Sequence, residues 1–187
     1  MEKHYLFISD RPLPRKALSD AFGEVGSSLI FFDNLTGELV GEEELFPQLE
    51  AAIGPIHEDL GANFSMLSAH KDDGFSRKLL HEAPTHFPNQ LVHESDAIFK
   101  ETSYGDYSSL PFLSAMFGEV KREVMLTAVE YLRCGLNASL ASRSLFIHRN
   151  TFNYRLDSFI AATGLDIRDY HNALLLEIYL QWGRTSF

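Results

Sequence analysis

Apolar and polar positions alternate on two different periods along this chain, and the period changes partway. In the first part, short apolar runs sit between turn residues. Tyr5-Leu6-Phe7-Ile8 stops at Asp10-Arg11-Pro12 and predicts a buried strand. Ala17, Leu18, Ala21 and Phe22 follow at helical spacing over 14–22. Ser28 to Asp33 predicts a strand, Asn34-Leu35-Thr36-Gly37 a turn, and Glu38 to Gly41 the return strand of a hairpin. Glu42-Glu43-Glu44 marks a helix start, because negative charge is favoured there. Leu45, Leu49, Ala52 and Ile53 form that helix's buried stripe, with a kink expected at Pro55 before Ile56 and Leu60. Asn63 to Ala69 predicts a strand, Phe75 to Glu82 a helix and Gln90 to His93 a last strand. The pattern implies an antiparallel or mixed sheet carrying helices.

Beyond Leu113 the strand signal disappears. Met116, Phe117, Val120, Val124, Leu126, Val129 and Leu132 recur at helical spacing and predict one long helix over 113–132, ended by Gly135. Asn137 is placed to cap a short helix over 138–145. A third helix is expected from Arg149 to Thr163, stopped by Gly164, and a fourth from His171 to Trp182. The fold class is therefore α+β: a mixed α/β sheet domain over 1–107, for sensing or assembly, followed by an all-α domain over 108–187.

The formal net charge of −10 argues at first against a polyanionic partner. Its distribution reverses that inference. Residues 1–120 hold 8 Lys and Arg against 20 Asp and Glu, a net of −12, whereas residues 121–187 hold 8 against 6, a net of +2. The helical segment is thus free to approach phosphates.

The helices over 138–145 and 149–163, joined through Phe146-Ile147-His148, have the spacing of a helix-turn-helix. Leu140, Ala141 and Leu145 can pack on Ile147, Phe152 and Leu156. Advancing 100° per residue puts Phe152, Leu156, Phe159 and Ile160 on one arc, with Asn150, Thr151, Tyr154, Asp157 and Ser158 opposite and Asn153 on the flank. Arg149 stands at the N-terminal end. Arg can read guanine and Asn adenine through paired hydrogen bonds, while Thr, Tyr and Arg155 suit phosphates.

The segment from Asn137 to Leu156, with His148-Arg-Asn-Thr151 and Tyr154-Arg-Leu156 as its specific part and Thr163-Gly-Leu-Asp166 downstream, resembles the C-terminal helix-turn-helix of PucR/CdaR-type bacterial transcription regulators. Phe152 stands where Leu is usual, and Ser142 where Ala is usual. The resemblance covers about residues 121–182 and implies sequence-specific binding of double-stranded DNA by a homodimer. Arg149 and Asn150 would contact bases, Thr151, Tyr154 and Arg155 phosphates, and His148 and Asn153 would be auxiliary. Residues 1–107 more distantly resemble the diguanylate-cyclase-like domain, without its catalytic motif, that often precedes this helix-turn-helix. Tyr104-Gly-Asp-Tyr107 is similar to the stretch that links that domain onward.

Other chemistry is thin. No GGDEF-like, G-x-S-x-G, Walker or Rossmann glycine pattern occurs, so no catalytic activity and no cofactor are expected. His81, His86 and His93, with Glu82 and Glu94, are expected to be solvated loop groups and not a metal site, since Pro84 and Pro88 should break their segment. Asp72-Asp73-Gly74 reads as a turn. The single Cys134 and the absence of a sustained apolar leader or membrane-length run fit a cytoplasmic protein without a membrane partner. A small-molecule effector remains compatible, unidentified. The alternative class is a non-catalytic adaptor derived from such a regulator.

Overall fold

The computed structural model describes residues 2–22 and 28–185. The chain divides into two compact units, Met1–Ser109 and Leu110–Phe187.

The first unit is built on a five-stranded sheet in the order β2-β3-β1-β4-β5. β1 (Glu2–Ser9) lies at its centre and pairs antiparallel with β3 (Thr36–Glu42) and β4 (Phe64–Ala69). β2 (Ser28–Phe31) adds antiparallel to β3, and β5 (Leu91–His93) adds parallel to β4. The first four strands, with α1 (Arg15–Phe22) and α2 (Phe46–Leu60), form a β-α-β-β-α-β unit of split-βαβ topology. α3 (Gly74–His86) is the crossover to the parallel strand β5, and α4 (Glu94–Ser103) follows it.

Central position explains the uninterrupted apolar run of β1, because a strand covered on both faces has no solvent side. Tyr5 and Phe7 pack with Leu18 and Phe22 of α1, Leu49 and Ile53 of α2, and Phe64 and Met66 of β4. Leu6 and Leu67, on the alternate face, are equally buried, and α3 packs on those same two strands. At the β2–β3 hairpin the Asp33 carboxylate accepts the Leu35 and Thr36 amides. Gly37 is obligatory there, since a Cβ would overlap the Phe7 ring and the Ile30 carbonyl.

Three features differ from the sequence reading. Pro55 does not interrupt α2, which continues as helix from Phe46 to Leu60. Pro55 and Ala51, whose carbonyl loses its amide partner, are both on the exposed side, where water can satisfy the carbonyl. Pro84 likewise does not end α3, which continues to His86. α4 carries too little apolar signal to be read from sequence. Besides Ala97 and Ile98 it buries Glu94, Ser95 and Glu101.

Glu94 is paired through both carboxylate oxygens. His70, at the end of β4, places Nδ1 2.8 Å from Glu94 Oε2 and Nε2 3.4 Å from Asp73 Oδ2. Glu94 Oε1 accepts the Ser76 hydroxyl at 2.5 Å, and Asp73 caps α3 through the Phe75 and Ser76 amides. Burial opposes the charge on His70. The Glu94 and Asp73 carboxylates outweigh it and push its pKa up to about 9. Burial also works against Asp73, but the His70 and Ser76 hydrogen bonds hold its carboxyl well below the usual range.

The second unit is all α: α5 (Leu110–Gly118), α6 (Arg122–Arg133), α7 (Ala138–Ser144), α8 (Arg149–Thr163) and α9 (Tyr170–Thr185). The single helix expected over 113–132 is two helices. The Val120 amide turns back to the Phe117 carbonyl, and Lys121 takes an extended ψ of 142° before α6 begins. An apolar stripe of constant period spans the break, so periodicity alone does not reveal it. Phe117 of α5 lies 6.0 Å from Phe159 of α8 and 4.7 Å from Tyr179 of α9, ring centre to ring centre.

Candidate nucleic-acid interface

α6, α7 and α8 form the site, and local chemistry sets each junction. α6 ends at Gly135, whose φ of 62° is the left-handed conformation that glycine adopts without strain. Leu136 follows at φ 59°, and its amide reaches back to the Tyr131 carbonyl at 2.9 Å. Asn137 caps α7 by accepting the Ser139 and Leu140 amides at 3.1 and 3.0 Å. Glu130 ties α6 to α7 through the Ser144 hydroxyl at 2.5 Å.

The turn into α8 is held from α7. The Leu145, Phe146 and Ile147 amides each donate at 3.0 Å, to the Ala141, Arg143 and Ser142 carbonyls. His148 then caps α8, its Nδ1 accepting the Asn150 amide at 3.2 Å. Tyr131 meets Phe152 edge to face at 5.7 Å, and the buried Ala128 and Ala141 let the helices approach closely. Phe152, Leu156 and Phe159 are buried, as their spacing requires. Leu140 differs from the expected packing in being 47% exposed, one residue before the buried Ala141.

Thr163-Gly164-Leu165-Asp166 has a structural role. Gly164 closes α8 at φ 78°, donating to the Ile160 carbonyl, and Leu165 is buried. Thr163 Oγ1 accepts the Leu165 amide, while Asp166 grips Arg168 at 2.7 Å and its carbonyl receives Asn172. The motif therefore orients α9 on α8.

The outward face of α8 carries Arg149, Asn150, Thr151, Asn153 and Tyr154, all exposed, with Arg155 half-exposed beside them. Tyr154 is 73% exposed. Thr151, Tyr154, Arg155 and Ser158 line one wall of an open groove of about 630 Å³, and Glu119, Lys121 and Glu123, around the start of α6, line the other. The seven residues singled out from sequence thus lie together at the N-terminal end of α8, over its cap and first two turns. Asp157 is exposed on the same helix two turns in.

Sequence reasoning did not single out Phe146. Its φ of 54° is left-handed, a conformation costly for a bulky residue, and it is 96% exposed at the tip of the turn. A lone aromatic directly before Ile-His in the turn was the available signal. Burial and the Glu130 carboxylate 3.7 Å away push the Cys134 thiol pKa up, away from the reactive thiolate form. Of the histidines set aside, His81 is exposed and His93 stacks on Phe46 at 4.3 Å.

Residues 124–182 match the PucR C-terminal helix-turn-helix domain. The chain is 40% identical over 55 residues to the carbohydrate diacid regulator of Escherichia coli, covering 29% of this chain and 14% of that protein. It is 37% identical over 85 residues to the uncharacterized protein YxkF of Bacillus subtilis, covering 46% and 27%. The matched regions thus span less than a third of these curated relatives. The crystal structure of a regulator of polyketide synthase expression from Bifidobacterium adolescentis is similar across 99% of this chain and 80% of that one, with a TM-score of 0.50 and 20% identity. Likeness at that identity speaks to fold alone. The C-terminal unit is a helix-turn-helix domain resembling those of the PucR/CdaR-type regulators, preceded by a mixed α/β sheet domain. No helix among the described residues is long and apolar enough to cross a membrane.

Proposed function

We propose that this chain is a sequence-specific DNA-binding transcription regulator of the PucR/CdaR type, with α8 as its reading helix in the major groove. The division of labour on α8 carries this reading: its inner face is buried, while Arg149, Asn150, Thr151, Asn153 and Tyr154 are all exposed outside it. Arg149 and Asn150, at the helix start, are placed to reach base edges first, as recognition helices do. Thr151, Tyr154 and Arg155 supply phosphate contacts. His148 spends Nδ1 on the cap, so only Nε2 is left to touch DNA. Asn153 assists from the flank.

One such helix contacts too little DNA for high affinity, so we infer a homodimer reading two half-sites roughly 34–36 Å apart. Catalysis is not part of this reading. Selection from a random-sequence DNA pool at physiological salt, with sizing of the bound species, tests it. A two-half-site motif bound by a dimer is expected. Failure to enrich any motif would overturn the reading.

A further inference from the structure

The end of α3 gathers side chains that DNA reading does not use. Because α3 continues through Pro84, Glu82 and His86 stand one turn apart on a single helix face. Asp106, three residues past the end of α4, arrives at the same place. Its Oδ1 accepts the Ser108 amide at 2.9 Å, which leaves Oδ2 to face His86 Nε2 at 3.2 Å. One ligand-capable atom from each of Glu82, His86 and Asp106 lies within 4.8 Å of the others.

The polar accounting around this cluster is incomplete. His86 is 7% exposed, and its Nδ1, the ring nitrogen other than the one facing Asp106, has no hydrogen-bond partner. Glu101, 1% exposed, gives Oε1 to the Ser109 and Ser108 hydroxyls at 2.8 and 3.2 Å, while its Oε2 has none. Among the described residues these are two of three such buried side-chain atoms. The third, His70 Nε2, has Asp73 3.4 Å away. One cation is already close, since Lys78 Nζ lies 2.5 Å from Glu82 Oε1. Its single charge serves Glu82, Glu101 and Asp106 together.

We propose that Glu82, His86 and Asp106 bind a divalent transition-metal cation of the zinc class. An imidazole nitrogen with carboxylate oxygens suits zinc better than magnesium or calcium, which take oxygen sets. Around a tetrahedral ion with bonds of about 2.0–2.2 Å, donor atoms stand about 3.4 Å apart. Rotation of the partly exposed Glu82 side chain closes the present spacing. Water fills the fourth position. The ion joins the end of α3 to the turn after α4, so its binding stabilises the first unit. Lys78 competes for Glu82.

Calorimetric titration of the metal-stripped full chain with zinc chloride at neutral pH tests this, alongside E82Q, D106N and K78M. In D106N the asparagine oxygen still accepts the Ser108 amide, so the turn is kept. The parent should bind one ion per chain, E82Q and D106N should each bind at least tenfold more weakly, and K78M should bind more tightly. Zinc should also raise the melting temperature of the parent and not that of D106N. No binding by the parent overturns the proposal. So does binding unchanged in both E82Q and D106N, which would place the ion on other histidines. Binding by K78M alone would overturn it too, by making the lysine the resident cation.

Discussion

His148 Nδ1 accepts the backbone amide of Asn150 at 3.2 Å, so the residue that opens the proposed reading helix is also its cap. Cap loss costs about 1 kcal/mol. His148→Ala should therefore lower stability by about that amount and fray the turn that carries Arg149 and Asn150. His148→Asn restores a cap oxygen and should recover the stability. Urea unfolding of both variants checks this, and DNA affinity read beside it separates the cap from any contact through Nε2. Affinity lost in His148→Ala and regained in His148→Asn marks a purely structural role.

Arg155 is half-exposed on the groove wall and faces no base in the proposed docking. Arg155→Ala should weaken binding to all sequences alike and reduce the slope of log K against log salt by about 1. Titrations at several salt concentrations, on the selected site and on a scrambled one, measure both.

Phe146 holds a left-handed backbone and packs against almost nothing. Left-handed geometry costs a non-glycine residue about 1–2 kcal/mol. Phe146→Gly should therefore stabilise the domain or leave it unchanged, with a thermal melt as the measure. A simultaneous fall in DNA affinity would show that the ring contacts the duplex.

His70 makes the stability of the first unit depend on pH. Its folded pKa of about 9 lies above the ordinary value of 6.5. The stabilisation is thus fully present below about pH 6.5 and is lost as pH rises through 9. The shift corresponds to on the order of 3 kcal/mol. Asp73, whose pKa is lowered, contributes in the opposite direction, with stability lost as pH falls below the ordinary aspartate value of 3.8. Urea unfolding followed through β4 amide resonances should show the alkaline loss, and His70→Gln should flatten it.

The helix-turn-helix was legible because its punctuation is local. Asn137 caps, Gly135 and Gly164 adopt left-handed φ, and the spacing of Phe152, Leu156 and Phe159 needs no distant contact to be read. The sheet order was not legible, because strand pairing is a long-range choice. α4 was hidden because three of its five buried residues are polar, and Glu94 finds its partner His70 24 residues back in the sequence. Pro55 and Pro84 misled for the converse reason. A proline reads as a break, yet each sits on the exposed side of its helix. That second misreading had a consequence, since it separated Glu82 from His86. The cap on α8 was open from sequence too, because His148 suits a turn and a groove equally.

The central claim is that α8 reads bases from its N-terminal end, and Arg149 tests it most directly. Selection from one random DNA pool, run in parallel with the parent chain and with Arg149→Ala, compares base preference position by position. The account predicts that one guanine position in each half-site loses its preference, at a cost of about 1–3 kcal/mol, while the other positions keep theirs. An identical preference profile for the two chains would contradict it.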